Sequence, residues 1–513
     1  MSDRTSIFSP KNIGFFGMII GMFMAILDVQ IVASSLPVIA AGLSASQDEL
    51  SWVQTSYIIA EVVVIPLTGF FAKLLSTRIA FCIAATGFTI MSIMCALCAS
   101  IESMIIARFF QGIFGGAMIP TVFGIIYVIF EPKDRGTIVI VIGLVVTVAP
   151  TLGPTLGGYI TELLSWHFMF LLNAIPGMIT VFLVYNYANF DQPNRKILEN
   201  FDYLGILLLV SCLASFQYIL EEGARKDWLE SNQILALSIY VFISFTILIY
   251  NELKVINPIL DLSALKNRNF SVCCILSGIL GVGLYGCVFL MPIFLGSCGL
   301  NTIQIGIIMI VTGASQFISA PLAGISAKKG VDKRLMMCFG LSMFGIGCYL
   351  NSFLTSESRF YELILPQFVR GFALMFCFVP VNDLALGTLS KEKVQYASGL
   401  YNLMRNLGGA FGLAIINYKL TQNSIICKDI LSANISVTST IAQNHIETLS
   451  SFINISGPSE NLVPIALTNQ ILQREAFIIA INNMFAYIGI IFILALILVP
   501  LTKNTQNVQA NSH

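Results

Sequence analysis

Three ionisable residues stand inside long apolar runs: Asp28 in MAILDVQIV, Glu61 in SYIIAEVVVIPL and Arg108 in MIIARFFQGIFGG. An ionisable side chain in hydrocarbon is costly unless it is paired or wet, so such residues are functional candidates. Two carboxylates near one guanidinium can take up and release a proton, because burial disfavours the ionised carboxyl and the cation favours it. The bland alternative is a static ion pair that locks helices together. Counted along a helix from the outer ends of their runs, Asp28 is about 13 Å deep, Glu61 about 16 Å and Arg108 about 9 Å. The long arginine side chain closes the remaining gap, so the spacing lets all three meet in the outer half of one cavity.

Two further cations, Arg370 and Arg405, lie in later apolar runs. Neither has a carboxylate at matching depth, and Asp383 sits near the inner end of its run. These arginines suit either an anionic group of a ligand or backbone carbonyls at a helix break. Other chemistry is poorly represented. The 12 cysteines fall mostly within apolar runs, where they behave as small packing residues. Cys95 and Cys98 form a CxxC with no second ligand pair near it. With 3 histidines, one of them the last residue, a histidine-rich metal site is excluded. No nucleophile–base set stands out, so the reading is of a protein that is not an enzyme and needs no cofactor.

The elements that must position these residues are set by composition. Of 513 residues, 56% are hydrophobic and 11% charged, against about 25% charged in soluble proteins. Mean hydropathy is +0.84. Too little charge exists to coat a water-exposed surface, so lipid is the solvent for most of it. Net charge is zero, which gives no reason to expect a nucleic-acid partner. The first apolar run follows Arg4 and Lys11 but is too long for a signal peptide and lacks a small-residue cleavage site, so it reads as an uncleaved span. Runs of about 20 apolar residues mark fourteen spans in all, with the eleventh near 334–354, the thirteenth near 395–420 and the last near 474–501. Lys and Arg concentrate in alternate connections, for example Lys73, Arg78, Lys133, Arg135, Lys328 and Lys329. That bias places these connections and both termini in the cytoplasm.

An octapeptide recurs. PLTGFFAK (66–73) ends the second span and PLAGISAK (321–328) ends the tenth, with Pro, Leu, Gly, Ala and Lys in register. Equating those spans gives six, two and six: an N-terminal six-helix bundle (1–190), an inserted two-helix region (191–268) and a C-terminal six-helix bundle (269–513). A polar segment at about 421–473, with N-x-S/T triplets at Asn434 and Asn454, is expected outside. The fifth span contains GLVVTVAPTLGPTLGGYI, in which Pro150 and Pro154 remove amide donors. Gly153, Gly157 and Gly158 offer a small-residue face for close helix contact.

These stretches resemble the 14-span drug/proton antiporters of the EmrB/QacA type, in the major facilitator superfamily. LDVQIVASSLPVIA (27–40) is similar to the family's LDxTIVNVALP, with Gln30 where Thr is usual. ARFFQGIFGG matches its R-x-x-Q-G, GPTLGG its antiporter motif, and SWHFMFLLNAIPG its W-R-W-x-F-x-I-N-x-P, with His167 in place of Arg. LEEGARKDWLES, NPILDLSALKNRNF, SGLYNLMRNLGG and QREAFIIAINNMF point to the EmrB branch. The loop motif G-x-L-A-D-R-x-G-R reads GFFAKLLSTR: Gly69 and Arg78 are kept, Lys73 replaces the aspartate, and Ser76 stands at the second glycine. Gating by that aspartate therefore does not carry over.

The resemblance implies an all-α polytopic membrane protein of the major facilitator fold, with 14 transmembrane helices. It implies a proton-coupled multidrug antiporter, driven by the proton gradient without a cofactor, that expels lipophilic or amphipathic compounds from a bacterial inner membrane. It also implies a periplasmic adaptor protein and an outer-membrane channel as partners. The rival within transport is a dedicated exporter of a siderophore or other anionic metabolite. A non-transporting receptor or scaffold would be expected to carry a soluble signalling domain, which the sequence lacks.

Overall fold

The computed structural model of the chain describes residues 9–200, 202–255, 258–433 and 462–503, with 443, 444 and 448 between the last two. The triplets at Asn434 and Asn454 lie outside the described residues. Within them every regular element is a helix. A first set comprises α1 (Pro10–Leu43), α2 (Gln47–Val64), α3 (Thr68–Leu75), α4 (Thr77–Ala96), α5 (Ile101–Ile129), α6 (Pro132–Leu163), α7 (His167–Leu171) and α8 (Ala174–Tyr187). Two helices follow, α9 (Tyr203–Glu222) and α10 (Asn232–Lys254). The last set is α11 (Arg268–Ser297), α12 (Thr302–Lys328), α13 (Lys333–Asn351), α14 (Phe360–Leu386), α15 (Lys391–Ala433) and α16 (Leu462–Ala495).

Local chemistry starts these helices where the structure has them. Ser9 accepts from the Asn12 amide and Pro10 occupies the first turn of α1, where a missing N–H is harmless. A capping box opens α2: the Ser46 amide donates to Glu49 at 2.9 Å and the Glu49 amide to Ser46 at 3.3 Å. The same box opens α12, from Asn301 to Gln304 at 3.1 Å and back at 2.9 Å. The two apolar segments that end in the repeated octapeptide, α2 continued by α3 and α12, thus also begin alike.

Among the described residues, 12 segments are long and apolar enough to cross a membrane. They coincide with twelve of the fourteen expected spans. The stretches of the other two expected spans are helical, as α13 and α15, but fall outside those 12. Helix α15 runs 43 residues and α16 runs 34, so both extend past the apolar runs into the expected external segment. Residues 421–433 contain no Gly or Pro to stop a helix, and polar side chains do not by themselves end one.

Packing repeats between the sets. Helix α1 lies on α6 and α8, α2 on α5, and α4 on α5 and α8; likewise α11 lies on α15 and α16, α12 on α14, and α13 on α14 and α16. With no water-driven force between helices in lipid, close packing needs small residues. A Cβ on Gly112 would stand 2.3 Å from the Tyr57 carbonyl, and one on Gly408 would stand 2.5 Å from the Gly278 Cα. Large apolar side chains such as Ile175, Phe182, Leu207 and Phe242 face outward, as a lipid-solvated surface requires.

The sets meet along α6 and α12, along α5 and α15, and where α6 touches α14. At the end bearing Lys73 and Arg78, Ser398 donates to the Pro120 carbonyl at 3.1 Å and Tyr127 to the Asn382 carbonyl at 3.3 Å. Helix α9 packs on both α2 and α15, so the inserted pair covers part of the seam. The Trp52 and Tyr218 rings are 5.8 Å apart there.

Candidate functional site

Asp28 and Arg108 come together as the spacing suggests. Their side chains form a 2.5 Å ion pair at 1% and 0% exposure. Asp28 also accepts from Asn173 at 2.7 Å and from Gln111 at 3.3 Å. Arg108 donates to Gln111 at 2.8 Å and to the Val53 carbonyl at 3.3 Å, and lies over the Tyr57 ring at 4.2 Å. Arg108 and Gln111 are three residues apart on α5, hence on one face. Asn173, at the α7–α8 junction, is itself held, since its amide also donates to Ser92 at 3.0 Å. The result is a carboxylate answered by one cation and two amides.

Glu61 stands apart from that pair. It is 8% exposed, and among the described residues no cation lies within ion-pair distance of it. Its contact is across the seam: Asn406 of α15 donates to it at 3.4 Å. Asn406 is oriented in turn by Tyr285, whose hydroxyl donates to its side-chain carbonyl at 3.3 Å. Helix α5 presses against α2 at this level, where a Cβ on Gly116 would be 2.7 Å from the Glu61 carbonyl. The geometry therefore yields two stations: an Asp28–Arg108 pair inside the first set, whose Arg108 Nη2 has no hydrogen-bond partner among the described residues, and a lone carboxylate at the boundary between sets.

The second-set arginines are both buried and neither has a carboxylate partner among the described residues. Arg370 donates to Gln367 at 2.5 Å and to Thr312 at 3.4 Å. Arg405 donates to Asn402 and stacks near Phe123 and Phe378, at 5.2 and 5.8 Å from their ring centres. Its Nε and Nη1 have no hydrogen-bond partner among the described residues. Asp383 is paired with Lys333 instead.

The glycine- and proline-rich stretch forms part of α6, which is continuous through Pro150 and Pro154. Its glycines face different neighbours. A Cβ on Gly153 would stand 2.3 Å from Gln30 Cβ on α1, whereas one on Gly158 would stand 2.1 Å from Thr302 Cγ2 on α12. Gly157 is buried on the same helix, and its carbonyl accepts from Thr161 at 2.8 Å. In the loop motif, a Cβ on Gly69 would lie 3.0 Å from the Gln395 carbonyl. Lys73 Nζ sits 4.0 Å from the centre of the Tyr396 ring, and Arg78 is 5.9 Å from that of Tyr185. Ser76 adopts φ 77° and ψ 150°, a backbone region that belongs essentially to glycine. This explains why a glycine suits that place in the motif.

Four residues that reasoning from the sequence did not single out complete these stations: Gln111, Asn173, Tyr285 and Asn406. The first, second and fourth lie within motifs already quoted. A signal for Gln111 was its i+3 spacing from Arg108. Nothing local marks Tyr285.

Comparison with known proteins places this geometry in a family. Residues 18–413 match the Major Facilitator Superfamily profile. The chain is 36% identical to the Colistin resistance protein EmrB of Acinetobacter baumannii over 93% of each chain. It is 29% identical to the Multidrug export protein EmrB of Escherichia coli over 94% of this chain and 93% of that one. In fold it is similar to the human organic anion transporter MFSD10, with a TM-score of 0.57 at 13% identity, covering 96% of this chain and 99% of that one. Both the paired helix arrangement and the near full-length kinship lead to one conclusion: the chain belongs to the major facilitator superfamily, in its EmrB branch.

Proposed function

We propose that the protein is a proton-coupled exporter that expels amphipathic toxic compounds by alternating access. Residues 1–190 and 269–513 act as two six-helix units, with the pair in 191–268 covering their seam, fourteen spans in all. External protons bind at Glu61 while the carrier faces outward, substrate leaves, and the proton is released inward after reorientation. The Asp28–Arg108 pair holds the first unit in shape beside that site. The observation that carries this reading is the placement of Glu61: a buried carboxylate with no ion-pair partner among the described residues, hydrogen-bonded across the boundary that must move. An ionisable group in such a position is expected to serve ion transfer. Relatives named for multidrug export and colistin resistance support the direction and the class of substrate.

The setting that fits is a bacterial inner membrane with both termini cytoplasmic. A periplasmic adaptor protein and an outer-membrane channel would complete the route out. The test is Glu61→Gln in proteoliposomes carrying an imposed proton gradient, with a panel of lipophilic dyes as substrates. Expected is loss of dye-driven proton flux with normal insertion. Wild-type flux would remove Glu61 from the coupling role.

A further inference from the structure

Glu61 is faced by Asp28 from α1, Tyr57 one turn away on α2, Arg108 from α5, Tyr285 from α11, and Arg405 with Asn406 from α15. Helix α9 meets α2 at its outer end, through Tyr218 on Trp52. Two of these groups are cations. Arg108 already has a carboxylate partner, Asp28 at 2.5 Å, although its Nη2 is without a hydrogen-bond partner among the described residues. Arg405 is not committed: it is 4% exposed, its Nε and Nη1 have no partner, and no carboxylate lies within ion-pair distance among the described residues. A buried guanidinium with free N–H groups is costly, and Glu61 is the buried carboxylate that shares its surroundings. The next residue, Asn406, already reaches Glu61.

We propose that Arg405 is a positioning residue, a tethered cation that answers the unprotonated Glu61 across the seam and, with Asn406, pins α2 to α15. The proposal rests on Glu61 being the coupling acid. An antiporter leaks protons if the carrier bearing neither proton nor substrate can reorient. The pin prevents that step, because the ionised carboxylate is held from the opposite unit. A proton on Glu61 removes the charge that Arg405 holds, and a substrate cation competes for the same carboxylate, so either one releases the carrier. The stabilisation need only differ between states for the population to shift.

The experiment uses the full-length protein in proteoliposomes with an internal pH-sensitive dye and no substrate. Asn406→Ala and Arg405→Gln are each expected to raise the proton leak about tenfold over wild type, a loss of roughly 1.4 kcal/mol from the pin. Arg405→Lys, which keeps the charge, is expected to restore a tight carrier. Difference infrared spectroscopy of the carboxyl band that disappears in Glu61→Gln gives a second readout. Its midpoint is expected at higher pH in Arg405→Gln, because a nearby cation no longer favours the ionised form. If Glu61→Gln keeps dye-driven proton flux, the coupling reading fails and the pin falls with it. If that reading holds, wild-type leak in Asn406→Ala together with an unmoved midpoint in Arg405→Gln overturns the pin alone. Should Arg405→Gln not fold, the leak of Asn406→Ala decides.

Discussion

Asp28 and Arg108, 80 residues apart in the chain, form a 2.5 Å ion pair with essentially no exposed side-chain surface. Breaking a buried pair leaves an uncompensated charge, which costs about 3–5 kcal/mol, whereas removing both partners costs far less. Asp28→Asn and Arg108→Gln are therefore each expected to destabilise strongly, with the double variant more stable than the sum of the two predicts. Unfolding by SDS in mixed micelles measures this. Additive effects would mean that the two side chains do not act as a pair.

The seam between α6 and α12 offers a sharper test, because the clash is confined to one methyl group. A Cβ on Gly158 would stand 2.1 Å from Thr302 Cγ2. Gly158→Ala is expected to disfavour the arrangement in which these helices touch by about 1–3 kcal/mol. Thr302→Ser removes the clashing methyl and keeps the hydroxyl, so it should restore the Gly158→Ala protein. Transport of a lipophilic dye and cysteine accessibility from each side report the outcome. Impairment that Thr302→Ser leaves untouched would place the effect elsewhere.

Ser76 carries backbone strain where the loop motif elsewhere has glycine. Its φ of 77° and ψ of 150° cost about 1–3 kcal/mol for a non-glycine residue. Its hydroxyl recovers little, since its capping bond to the Ile79 amide is 3.5 Å long. Ser76→Gly is expected to raise thermal stability by about 1 kcal/mol net of the lost cap. A lowered melting temperature would show that the cap outweighs the strain.

Lys73 stands over Tyr396 at 4.0 Å, joining α3 to the start of α15. A cation–π contact of this kind is worth about 0.5–2 kcal/mol. Tyr396→Leu is expected to loosen this end of the seam, seen as faster labelling of a cysteine placed at Gln395 by a membrane-impermeant reagent. Tyr396→Phe keeps the ring and should label at the wild-type rate. Equal rates for the leucine and phenylalanine variants would mean that the ring does not hold Lys73.

Much of the architecture was legible in the residue order, because hydrocarbon permits few backbone solutions. Length and apolarity mark helices, and Lys and Arg bias their ends. The octapeptide at 66–73 and 321–328 exposed the repeat, and the structure adds matching capping boxes at Ser46 and Asn301. Depth along the helices let Asp28, Glu61 and Arg108 meet in one cavity, and of these the structure brings Asp28 and Arg108 into an ion pair.

Depth along a helix says nothing about its rotation or about what stands opposite. The spacing let Glu61 meet Arg108, yet α2 turns Glu61 toward Asn406 of α15, 345 residues away in the chain, while Asp28 takes the arginine. Likewise Gly153 and Gly158 are near neighbours in sequence but serve different contacts, one with α1 and one with α12. The chain itself determined its solvent, its helices, its internal repeat and the buried charges. Tertiary packing alone decided which charge answers which, because partners are chosen by helix rotation and by contacts between distant segments, and neither leaves a periodic trace in the sequence.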